Sequence, residues 1–125
     1  MTAWTNAELE SIGATEEIEI APLRSDGTLR NPVTIWVVRH GNDLYVRSVN
    51  GRTAAWFRST QVRHEGRIWF GGTEKDVTFV DADQAIDDEI DAEYRAKYRR
   101  YAANIINSVI SVQARAATIK LVPHS

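Results

Sequence analysis

Between Thr34 and Gly51 the sequence TIWVVRHGNDLYVRSVNG sets two aromatic residues, Trp36 and Tyr45, and one cation, Arg47, into otherwise apolar runs. Rings beside a guanidinium suit stacking on a planar ligand together with charge-assisted hydrogen bonds to an anion. They suit equally a cross-strand cation–π pair, worth about 0.5–1 kcal/mol when exposed. Ser48, Asn50, Gly51 and Arg52 then lead into RTAAWFRST, which carries Trp56, Phe57 and Arg58. A helix start there would add backbone N–H donors to a hydroxyl and two arginines, a plausible phosphate cradle. The same arginines can instead serve ion pairs inside the fold or a contact between subunits.

Other chemistries are poorly served. Tyr94, Lys97 and Tyr98 put an amine near phenols, an arrangement used in acid–base catalysis. Their spacing differs from Tyr-x-x-x-Lys and no dinucleotide-type glycine motif precedes them, so they read as a helix stripe with a solvated lysine. His40 and His64 stand singly in or near turns and His124 lies near the end of the chain, so no metal site is expected. Neither Ser48 nor Ser59 sits in a nucleophile elbow. DADQAIDDEID is acidic but lacks the central glycine of a calcium loop. Catalytic residues stay unassigned.

The 125 residues suit one domain, 1–125, and contain no cysteine, which removes disulfides and thiolate chemistry. The absence of a signal-like N-terminus and of any long apolar run leads us to expect a cytoplasmic protein with no membrane partner. The formal net charge of -2 and pI near 5.9 argue against nucleic acid. Charge is nevertheless segregated. Arg24 to Arg67 carries eight arginines against three acids, and Ile68 to Glu93 carries one lysine against nine acids. Such blocks pair within a fold or across an interface, and a basic face attracts anions.

The elements that must position these residues follow from periodicity. Thr5 and Glu8 have capping-box spacing for a helix over about 6–12. Ile18 and Ile20 alternate with glutamates as a first strand. Gly41-Asn42 fits the type II′ turn of a long hairpin pairing His40 with Asp43, Val38 with Tyr45 and Trp36 with Arg47. Val33, Ile35, Val37, Leu44 and Val46 then face the core, and Trp36, Tyr45 and Arg47 share the outer face. Thr53 is the expected cap of a short helix bearing Trp56. GRIWFGG and DVTFVD form a second hairpin, and Trp56, Trp69 and Phe79 read as packing residues. Ile86, Ile90, Tyr94, Tyr98, Tyr101, Ile105 and Val109 form one stripe on one helix or two, before a last strand over about 115–122. The expected fold is mainly β with flanking helices (α+β), a six-stranded, mostly antiparallel barrel.

NPVTIWVVRHGNDLYVRS, WFR, GRIWFGG, YRAKY and TIKLVP, in this order, resemble a bacterial family, domain of unknown function 2255. That family is in turn distantly similar to the split β-barrel flavoproteins of the FMN-binding type, especially the deazaflavin-dependent nitroreductases. The resemblance implies a homodimer holding FMN or a deazaflavin coenzyme on the outer barrel face and acting as an oxidoreductase. Carried over residue by residue, it implies a cofactor site of Trp36, Tyr45, Arg47, Ser48, Asn50, Gly51, Arg52, Trp56 and Arg58. This chain has Asn50 where those enzymes usually carry lysine, and Arg58 or Ser59 where they carry asparagine. The departures keep open a barrel with no flavin that binds another small anionic ligand, or a dimerisation module.

Overall fold

The computed structural model describes residues 3–124. Seven antiparallel strands form one sheet: β1 (Glu17–Pro22), β2 (Val33–Trp36), β3 (Val38–His40), β4 (Asp43–Arg47), β5 (Glu65–Phe70), β6 (Thr73–Asp81) and β7 (Thr118–Pro123). Their order is β2-β1-β5-β6-β7-β4-β3. The two edge strands, β2 and β3, are consecutive in the chain with only Val37 between them. The sheet therefore curls into a nearly closed barrel whose split lies where β2 parts from β4.

This explains why seven strands replace the expected six. The β3–β4 register is the expected one, Val38 opposite Tyr45 and His40 opposite Asp43. Gly41 takes the positive φ of 61° that a type II′ turn requires at its first position. Beyond Val38, however, the strand crosses to the other side of the barrel. Trp36 pairs with Glu17 of β1, not with Arg47, and Arg47 faces Thr118 of β7. A long straight hairpin would leave the barrel open. The break at Val37 lets one chain segment serve both edges.

The expected inward face is the barrel core. Val37, Leu44 and Val46 are fully buried with Ile18, Ile20, Ile68, Val77, Phe79, Ile119 and Leu121, and Val33 and Ile35 pack against them. Helix α1 (Asn6–Ala14) is held by the Thr5–Glu8 capping box and adds Leu9 and Ile12. Gly66 is required by close approach: a Cβ there would lie 2.5 Å from Ala21 O and 2.7 Å from the Phe79 ring.

Helix α2 (Ala55–Arg63) follows a 3-10 turn at Gly51–Thr53. Its N-cap is Ala54, with no side-chain cap; Thr53 Oγ1 instead donates to Asn50 O within the preceding turn. The acidic segment enters α3 (Asp87–Lys97), and α4 (Ala103–Val109) and α5 (Val112–Arg115) follow. The apolar stripe of α3 and α4 covers the barrel's outer face. Ile90, Tyr94, Tyr98, Ile106 and Val109 form a second core with Val38 and Tyr45.

Candidate functional site

Arg47 shows what that outer face is for. Its side chain has no accessible surface. Nε donates to Thr118 Oγ1 at 2.9 Å, Nη1 to Val109 O at 3.0 Å and Nη2 to Asp87 O at 3.1 Å. Nη1 also pairs with the buried Asp91 carboxylate. The guanidinium lies 5.5 Å from the centroid of the Tyr94 ring. Burying a cation is costly unless it is paired and hydrogen-bonded, and here both conditions hold. Burial pushes the Asp87 carboxyl above its ordinary range, against the pull of Arg47 and Arg115. The outer face is thus not an open aromatic and cationic surface. Helices close over it, and Arg47 ties β4 to α3, α4 and β7.

Tyr45 shares this fate: it is buried in the second core, and its phenol is pushed up first by desolvation and then by the Asp43 charge. The segregated charge blocks likewise meet within the fold. Arg67 pairs with Asp76 at 2.8 Å and Arg52 approaches Asp81 at 4.0 Å.

At the split lies a cleft of about 360 Å³. Val33, Thr34, Ile35 and Trp36 of β2 form one wall, and Val49 and Asn50 after β4 another. Trp56 of α2 and Ile105, Ser108 and Val109 of α4 complete it, with Glu17 at the edge and Arg47 contributing without an accessible guanidinium. β2 is hydrogen-bonded to a neighbour on one edge only, so alternate N–H and C=O groups of this strand point away from β1.

Trp36 is held from behind. Its indole stacks on Tyr98, with planes 2° apart and centroids 3.8 Å apart, and Tyr101 lies at 4.9 Å. Tyr98 is fixed in turn by the strand break. Its hydroxyl accepts from Val37 N at 3.2 Å and lies within donor reach of Val37 O at 3.1 Å and of Glu16 O. Val37 thereby recovers partners for the backbone groups it loses by leaving the ladder. Desolvation pushes the Tyr98 phenol up. Lys97 Nζ also donates to Val37 O, at 2.6 Å, and desolvation lowers its pKa to about 8. Lys97 is therefore a half-buried structural donor, not a solvated lysine.

The cleft brings together Trp36, Arg47, Asn50 and Trp56 of the expected site. Tyr45 and Ser48 are buried away from it, and Gly51 packs against Gln113. Arg52 donates to Ala116 O and lies 5.1 Å from the Phe57 ring centroid, and Arg58 is exposed on α2. Sequence reasoning missed the wall from α4. Ile105 and Val109 have helical spacing, but nothing in that spacing tells which surface they meet.

Residues 8–121 match the family described as "Uncharacterized protein conserved in bacteria (DUF2255)". The chain belongs to this family. No curated protein matches it by sequence. Among solved structures it is similar to HutZ, the heme storage protein from Vibrio cholerae, with a TM-score of 0.70 and 14% identity over 96% of this chain and 90% of that one. It is also similar to an F420 reductase, with a TM-score of 0.57 and 12% identity over 93% and 92% of the two chains. At these identities the likeness establishes the split-barrel fold. Among the described residues no helix is long and apolar enough to cross a membrane.

Proposed function

We propose that the protein binds a planar aromatic cofactor of the flavin or deazaflavin class in the Trp36–Trp56 cleft and serves as a reductase. The observation that carries this reading is the Trp36–Tyr98 stack at the split of the barrel. It holds one face of an indole rigidly, so that stacking a ligand on the cleft side orders little that is not ordered already. The volume lies within the range of small-molecule sites, and the walls are largely apolar with a few polar groups. Val33, Ile35 and Trp56 would hold a ring system, Thr34, Asn50 and Ser108 would meet its polar edge, and Ile105 would exclude water. A bound flavin or deazaflavin would supply hydride transfer, and the chain would supply position.

Haem fits less well. Its iron takes His, Cys, Met or Tyr ligands, and none of these residue types is among the described residues that line the cleft.

A second reading, a binder with no redox role and no phosphate on its ligand, is favoured by Arg47. The cation expected to meet a phosphate is already engaged with Asp91 and Asp87. A homodimer belongs to the first reading. Val49 and Ile105 at the cleft are 40% and 41% exposed, apolar surface that a second copy would cover.

The test is titration with FMN, riboflavin and a deazaflavin coenzyme, followed by tryptophan fluorescence and visible absorbance. Ser108→Trp, at an exposed position on the cleft wall, should abolish binding and leave stability unchanged. Equal affinity for riboflavin and FMN would favour the second reading. Failure of all three ligands to bind would remove the first.

A further inference from the structure

On the other side of Val37 from the cleft, a second groove runs between α1, β3 and α3. Leu9, Gly13, Ala14, Val38 and Ala96 give it apolar walls, and Glu10, Arg39, Glu93 and Lys97 are its charged groups. We propose that Lys97 in this groove is a covalent capture site for small neutral aliphatic aldehydes, which it takes up reversibly as an imine.

Three features set this amine apart from the other lysines. Lys75 is ion-paired with Glu8 at 3.3 Å, and Lys120 lies on β7 opposite Tyr45 and Val80. Lys97 lines an apolar-walled groove, with its Nζ 2.6 Å from Val37 O and 5.3 Å from the Tyr98 ring centroid. Its charged neighbours are largely occupied with other groups. Glu93 bonds His40 Nδ1 at 3.0 Å, with Glu89 on the far side of that ring, and Arg39 Nε donates to Gly41 O at 2.9 Å. Desolvation is the dominant influence on the amine and favours its neutral, nucleophilic form. Similarly desolvated lysines form Schiff bases with carbonyl compounds.

The step balances without a further reagent. The neutral nitrogen attacks the aldehyde carbon, a C=N bond replaces C=O, and the oxygen leaves as water with the two amine hydrogens. A proton taken from solvent then gives an iminium whose one new N–H can restore the bond to Val37 O. The apolar walls of Leu9, Ala14 and Val38 favour the dehydrated product and the short alkyl chain it carries.

The test is reductive labelling of the folded protein with propanal and cyanoborohydride at pH 7.5, with peptide mapping at low extent of reaction. A lysine pKa lowered to about 8 raises the neutral fraction at pH 7.5 on the order of 10²-fold over that of an ordinary lysine. Lys97 should therefore be propylated at least about tenfold faster than Lys75 or Lys120, and the preference should vanish in urea. Equal labelling of the three lysines, or a preference that survives in urea, would overturn the proposal. Lys97→Arg keeps a cation and a donor for Val37 O. A folded Lys97→Arg protein should lose this rapid labelling and gain none at the other two lysines.

Discussion

The indole of Trp36 and the phenol of Tyr98 lie parallel at 3.8 Å, and the hydroxyl of that same tyrosine binds the backbone of Val37. One side chain from α3's C-terminal end thus supports the cleft wall and the strand break together. Three consecutive residues, Trp36, Val37 and Val38, reach the cleft, the barrel core and the second core respectively.

Tyr98→Phe keeps the ring and removes the hydroxyl, leaving Val37 N–H and Glu16 O short of a partner. An unsatisfied buried group costs about 1–3 kcal/mol. The urea midpoint should fall accordingly with an unchanged m-value. A midpoint within error of the wild type would mean that water replaces the hydroxyl.

Arg47→Ala should destabilise far more, by about 3–5 kcal/mol, because it breaks a buried ion pair and leaves the Asp91 carboxylate only Arg115 Nε, at 3.3 Å. Arg47→Lys should recover little, since one ammonium cannot reach Thr118, Asp91, Val109 and Asp87 together. Calorimetric melting of both variants checks this. A lysine variant as stable as the wild type would show that charge alone suffices.

Gly66→Ala would force a methyl group against backbone at Ala21 O and against the packed Phe79 ring. Overpacking of this kind costs about 1–3 kcal/mol. The loss should be partly relieved in Gly66→Ala/Phe79→Leu, where the ring is gone. Thermal melts showing strictly additive losses would place the strain at Ala21 instead.

Lys97 gives stability a pH dependence. Its folded pKa is lowered to about 8, below the ordinary lysine value, so the unfolded chain binds more protons between the two. The cost of burying the cation is present below about pH 8 and is relieved as pH rises toward the unfolded value. Wild-type stability should therefore rise between pH 8 and 10 relative to that of Lys97→Met. Parallel denaturation profiles for the two proteins across this window would contradict the assignment.

Much of the fold was legible because its signals are local. The Thr5–Glu8 box, the Gly41 turn, the alternation of Val33, Ile35, Val37, Leu44 and Val46, and the stripe from Ile90 to Val109 each depend on neighbours a few residues away. The core side of the long hairpin and the existence of an amphipathic outer face followed from these alone. What covers that face did not. Arg47 meets Asp91 across 44 residues and Val109 across 62, and a sequence pattern carries no term for such distances. Nor could local pairing rules reveal the break at Val37, which exists because a single segment must form both edges of a nearly closed barrel. The stretch TIWVVRHGNDLYVRSVNG determined by itself which residues face inward. Only the tertiary structure decided that Trp36 borders the cleft while Tyr45 and Arg47 are sealed beneath α3 and α4, because burying a cation and two apolar helix faces together satisfies both.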